Sequence, residues 1–166
     1  MAEYTLVKSP RVTNSSVHEP VPGGVRSYTF IPYLSFGGGN TGITYGTQVG
    51  TATIYGRRVQ FEISITLTSK GSSVGAALVQ GAPFELQGVA AVFPVYWDSL
   101  NTAFVHVVGL GGQGNPSPEN YFIALLGITA AATSVGTQLT NANFTNTSTI
   151  NISGSYFGAN NPLPVV

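Results

Sequence analysis

RVQFEISITLT, residues 58–68, alternates without a break: Val59, Phe61, Ile63, Ile65 and Leu67 fall on one side of a period of two. Arg58, Gln60, Glu62, Ser64, Thr66 and Thr68 fall on the other. Only a strand with one face in a core and the other in solvent has this pattern. Glycine clusters on either side, Gly37-Gly38-Gly39 before it and Gly71 after it, supply turns. Burying each of the five apolar side chains is worth about 1.5–3 kcal/mol, whereas ordering the backbone costs about 1–2 kcal/mol per residue. A lone hairpin therefore does not stand, and the strand needs a second sheet and a filled core.

Working outward, strand-like runs recur at Ser27–Phe36, Gly50–Tyr55, Val74–Val79, Gly88–Tyr96, Ala103–Leu110, Tyr121–Ile128 and Thr147–Phe157. Gly, Pro and Asn punctuate them about every ten residues, and helical spacing beside capping residues is absent from the sequence. The expectation is an all-β fold, an antiparallel β-sandwich or jelly roll. Tyr121 to Leu126 is apolar on both faces, which predicts contact on both sides, from a subunit interface or from loops over a central strand. Ahead of these runs, Tyr4–Lys8 reads as a short strand, and the Pro-, Ser- and Gly-rich stretch from Arg11 to Gly24 reads as a connector. The predicted organisation is an arm over residues 1–24 and one β-sandwich domain over residues 25–166. The arm is the expected attachment point to a partner protein, by strand addition to the partner's sheet edge.

At 166 residues without an internal period, one core suffices. Charged residues make up 7% of the chain, against a usual quarter, so Ser, Thr, Asn, Gln and Gly must cover the exterior, or neighbouring copies must hide it. Six scattered basic residues and a formal net charge of zero give no phosphate-tracking stripe, and nucleic-acid binding is not expected. The chain has no Cys, which removes disulfides, thiolate catalysis and cysteine zinc sites together. The first residues have neither a basic start nor an apolar core of signal length, and no window approaches eighteen apolar residues. The expected product is made in the cytosol without membrane insertion.

Several fixed tripeptides carry a resemblance. They are Ser35-Phe36-Gly37-Gly38-Gly39-Asn40-Thr41-Gly42-Ile43-Thr44-Tyr45, Gly50-Thr51, Tyr55-Gly56-Arg57, Thr66-Leu67-Thr68-Ser69-Lys70-Gly71-Ser72-Ser73 and Gly81-Ala82-Pro83-Phe84. This texture, from Val25 to Phe84 with an echo at Ile150–Phe157, resembles a module of the tail-fibre proteins of tailed bacteriophages and their prophage copies. The resemblance implies a distal β-rich domain that is made in the host cytoplasm, assembles as a homotrimer, sits in the virion tail, joins other virion tail or capsid proteins through residues 1–24 and touches a host-surface glycan or protein. Long fibres carry extended repeats before such a domain, whereas residues 1–24 alone precede it here. The expectation is either a very short receptor-binding protein or a module borrowed for another virion part.

Catalytic motifs are weak. Gly109-Leu110-Gly111-Gly112-Gln113-Gly114 satisfies G-x-G-x-x-G, but Asn115-Pro116-Ser117-Pro118 follows where a dinucleotide loop must open a helix, so a surface loop is expected and no cofactor. His106 alternates with Phe104, Val108 and Leu110 and reads as a partly buried structural histidine. Asp98, Ser99 and His106 name a triad on paper, yet adjacent strand side chains diverge and a nucleophile elbow is missing. Among Glu62, Glu85, Asp98 and Glu119, no spacing marks a pair for glycoside cleavage, and Glu62 reads as a solubilising charge. No metal cage is expected.

Sugar recognition asks less: one aromatic face and a few hydrogen-bonding groups. Tyr96, Trp97, Asp98 and Asn101 offer that at an expected strand-to-loop junction, although Trp97 reads as a core anchor ahead of a binding platform. Gln113, Asn115 and Glu119 in the following loop are the second candidates. The leading expectation is thus a non-enzymatic receptor-binding domain of a tail fibre or tail tip. A virion decoration or connector protein is the alternative, and a polysaccharide depolymerase acting through Glu85, Asp98 and Glu119 stands third.

Overall fold

The computed structural model describes residues 25–82, 91–112, 122–130 and 136–158. These form ten strands: β1 (Val25–Phe30), β2 (Tyr33–Phe36), β3 (Ile43–Tyr55), β4 (Arg58–Lys70), β5 (Ala77–Gln80), β6 (Ala91–Leu100), β7 (His106–Gly112), β8 (Phe122–Ile128), β9 (Thr137–Gln138) and β10 (Phe144–Phe157). A single 3-10 turn, Asn141–Asn143, leads into β10. The arm at residues 1–24 lies outside the described residues.

All pairings are antiparallel, in the order β1-β3-β4-β10-β6-β7-β8-β5-β2, with β9 beside β8. The strand β6 divides its length: Val95 to Asp98 pair with β10, while Ala91 to Pro94 pair with β7. It therefore carries the sheet round a corner. At the other end, β1 and β2 are the extremes of the order yet only Ile31-Pro32 separates them in the chain. A sheet whose first and last strands are covalent neighbours must curl until its halves face each other. The all-β, antiparallel expectation holds in this form, one continuous sheet folded into two layers.

Aromatic pairs close the space between those layers. Phe61 of β4 meets Phe93 of β6 edge-on at 4.9 Å and 89°, and Phe36 of β2 meets Phe144 of β10 at 5.2 Å. Val59, Phe61, Ile63, Ile65 and Leu67 are all buried, as their alternation dictates, while Arg58, Gln60, Glu62 and Thr68 are exposed. Pairing across β10 repeats the pattern, with Ile150 opposite Ile65 and Ile152 opposite Ile63.

Several sequence expectations are corrected. The run Ser27–Phe36 is two strands, because Pro32 has no N–H to continue the ladder and the chain crosses between layers there. β3 begins at Ile43 rather than Gly50, since the long β4 ladder pairs even its Thr, Gln and Gly residues. Gly109 to Gly112 form part of β7 and not a loop; Gly109 is buried, and a Cβ there would meet Ile123 at 2.7 Å. His106 is exposed, because Val107 takes the inward parity at 0% exposure. Its ring stands edge-on to Trp97 with centroids 6.4 Å apart.

Tyr45 ties the layers together and caps an edge. The Leu34 N–H donates to the Tyr45 hydroxyl at 3.0 Å, and that hydroxyl donates to the Leu34 carbonyl at 3.3 Å. Two backbone groups facing away from β5 are thereby satisfied. Burial raises the phenol above its ordinary value, with the Leu34 hydrogen bond opposing. Because the folded state holds the proton more firmly, this contribution is complete below the unfolded value near about pH 10 and fades as pH rises through the folded one. Tyr45→Phe is expected to cost about 1 kcal/mol at neutral pH. In urea unfolding, the gap between the two proteins narrows as pH passes 10.

Candidate functional site

The outer face of the first layer is built in rows, because each strand sends alternate side chains outward and the register aligns them. One row runs Val49, Ser64, Asn151 and Tyr96 across β3, β4, β10 and β6. The next holds Thr51, Glu62 and Ser153, and Pro94 of β6 borders it. Together these residues line an open groove of about 700 Å³, with Ile63, Val95, Trp97 and Ile152 beneath. That volume falls within the usual range for small-ligand sites.

Beyond the Asn151 row, Thr66 and Thr149 share a 3.1 Å hydrogen bond, and Asp98 pairs with Thr149. On the opposite side come Thr53, Gln60 and Ser155, and then Tyr55, Arg58 and Phe157. Hydroxyls and amides thus cover most of this face, as the low charge content requires.

Tyr96 and Trp97 come to the groove, but with opposite parity. Tyr96 points outward and is 62% exposed. Trp97 is half-buried and packs on the core, so it is an anchor under the groove rather than a platform. Asp98 is exposed one row away. The strand continues past the expected junction to Leu100.

At the end of β6, Ser99 adopts φ 56°, which breaks alternation. Its Oγ consequently donates to Asp98 Oδ2 at 3.1 Å, where diverging side chains were expected. The Ser99 carbonyl accepts from Thr145 Oγ1 at 2.7 Å and from buried Ser148 Oγ at 2.9 Å. These bonds fix β6 against β10 across the register shift between Phe144 and Thr149. Asn101 is spent on the same corner, its Nδ2 donating to the Ala142 carbonyl at 3.2 Å and its N–H to the Asn143 carbonyl at 2.8 Å. It does not line the groove. Gln113, Asn115 and Glu119, and also Glu85, lie outside the described residues.

Sequence reading missed Val49, Thr51, Glu62, Ser64, Asn151 and Ser153. Glu62 is on the solvent face as expected, but that face is also the groove wall. The strongest sign of function is Asn151: its side-chain oxygen is buried without a hydrogen-bond partner, a state that costs about 1–3 kcal/mol.

The fold is similar to one in a tailspike. The crystal structure of the Dettilon tailspike protein (gp208) superposes with a TM-score of 0.59 at 16% identity, over 81% of this chain and 24% of that chain. At that identity the likeness concerns the fold alone, and this chain spans about a quarter of the tailspike's length. No family model matches the chain, and neither does any curated protein sequence.

Proposed function

We propose that this chain is a bacteriophage tail protein, the receptor-binding domain of a tail fibre or tail tip, and that it attaches to host-surface glycan through the groove on its first layer. The observation that carries the reading is a groove with an exposed tyrosine, hydroxyls and an unpartnered amide oxygen, on a fold similar to a tailspike's. The reading is non-catalytic. Glu62 and Asp98 are separated by two strand spacings and by two rows along the strands, on the order of 15 Å by strand geometry. Glycoside cleavage brings its carboxyl pair within about 10 Å.

The domain acts as a homotrimer. Val92, Pro94, Val108, Leu110, Ala124 and Leu126 face outward on the second layer, in rows set by their pairing, without a charge among them. Val92 is 64% exposed there. Sibling copies that cover this face remove it from water and raise avidity for a weakly held glycan by orders of magnitude. The same face supports the second reading, a virion connector or decoration protein that cements other subunits.

Two measurements separate these readings. Light scattering is expected to return a trimer mass, and host cells are expected to retain the purified protein. A protomer mass combined with indifference to cells overturns the attachment reading; incorporation into particles without cell binding establishes the connector.

A further inference from the structure

Asn151 Oδ1, buried and without a partner, and the carboxylate of Glu62 are both hydrogen-bond acceptors. They stand on adjacent strands: Asn151 lies opposite Ser64, and Glu62 lies opposite Ser153. This makes them diagonal neighbours, roughly 7–8 Å apart between backbones. Neither Lys nor Arg is among the residues lining the groove. The cation nearest in register, Arg58, is four residues along β4 from Glu62, about 13 Å away, and its Nη2 donates to Ser155 Oγ at 3.2 Å. Asp98 adds a second carboxylate two rows beyond Glu62. His106 faces the edge of Trp97, and the remaining polar lining, Thr51, Ser64 and Ser153, donates or accepts equally.

From these positions we infer that the groove selects a saccharide unit bearing an amino group and disfavours acidic sugars. The inference rests on the reading of the groove as an attachment site and names what it attaches to. An ammonium carries three donors and no acceptor, so it complements a face whose neighbouring strands present two acceptors, one of them charged. A uronate or phosphate brings acceptors and negative charge to the same place and finds no cation among the described residues that line the groove. The sugar ring lies on Tyr96, with Val49 and Pro94 as further apolar wall. A ligand donor that reaches Asn151 Oδ1 removes the cost of an orphaned carbonyl.

Trp97, the single indole of the chain, lies beneath the groove and reports occupancy by fluorescence. Titrations with tetramers of glucosamine, N-acetylglucosamine and galacturonic acid are expected to rank in that order. Glu62→Gln weakens glucosamine-tetramer binding about two- to fivefold, the range of an exposed ion pair, and leaves the N-acetylglucosamine tetramer unchanged. Asn151→Ala weakens the glucosamine tetramer about tenfold. Gln60→Lys, one row outside the groove, controls for general charge effects, and thermal melting verifies that each variant folds. Galacturonate binding that equals or exceeds glucosamine binding overturns the inference, as does a ranking that Glu62→Gln leaves untouched. If host cells retain the wild type and the Glu62→Gln and Asn151→Ala variants alike, the groove assignment falls while attachment stands. If cells retain none of the proteins, attachment itself falls.

Discussion

Ile65→Asp leaves no folded protein at neutral pH. Ile65 is 0% exposed at the middle of β4, between the ladders to β3 and β10. Removing its side chain forfeits about 2–5 kcal/mol, as for other large-to-small core changes. The new carboxyl must also stay protonated in a site without water. A buried acid shifts upward by up to about 3–5 pH units, at 1.36 kcal/mol each. The two costs together reach the whole stability of an ordinary domain, about 5–15 kcal/mol. With its folded pKa raised, the acid is least harmful below the unfolded value near about pH 4, and the damage grows as pH rises above it. Gln60→Asp on the exposed face of the same strand is expected to change stability by no more than about 0.5 kcal/mol. Circular dichroism and urea unfolding of both variants at pH 4 and pH 7 check the contrast. Equal behaviour would remove the assignment of the strand's two faces.

That contrast also marks how far the sequence could be read. The alternation along β4 is set by local chemistry, so its faces and the all-β class are legible in eleven residues, although the strand runs on to Lys70. The start of β3 is not legible in the sequence, because Thr44, Thr47 and Gln48 pair only through the strand beside them, and composition records no such neighbour. The alternation that reads His106 as partly buried fits either parity; Val107, fully buried, decides that His106 faces out. The groove was the least visible feature. Asn151, Glu62, Val49 and Tyr96 come from four strands spread along the chain, β10, β4, β3 and β6, and the register alone aligns them. Of this set the sequence offered Tyr96, because an aromatic beside polar residues is a local signal, whereas an asparagine in a Ser/Thr-rich strand is not.

The other large effect lies where Gly154 made room for an aromatic. Gly154 pairs with Phe61, and a Cβ on it would approach the Phe93 ring to 2.5 Å. The missing side chain lets Phe93, 2% exposed, stand edge-on to Phe61 while Tyr156 flanks it at 6.3 Å. Phe93→Ala is expected to cost about 3–5 kcal/mol through lost burial and the cavity left behind. Gly154→Val presses into the intact ring and costs about 1–3 kcal/mol. The two changes must not add. Once Phe93 is alanine, the valine enters the vacated space, so the double variant is more stable than the sum of the single losses predicts, by about 0.5–3 kcal/mol. Urea midpoints of the four proteins, measured at one protomer concentration, close this cycle. Strict additivity would mean that Gly154 is required for its backbone alone. Coupling of the expected sign shows that the glycine serves the ring across from it.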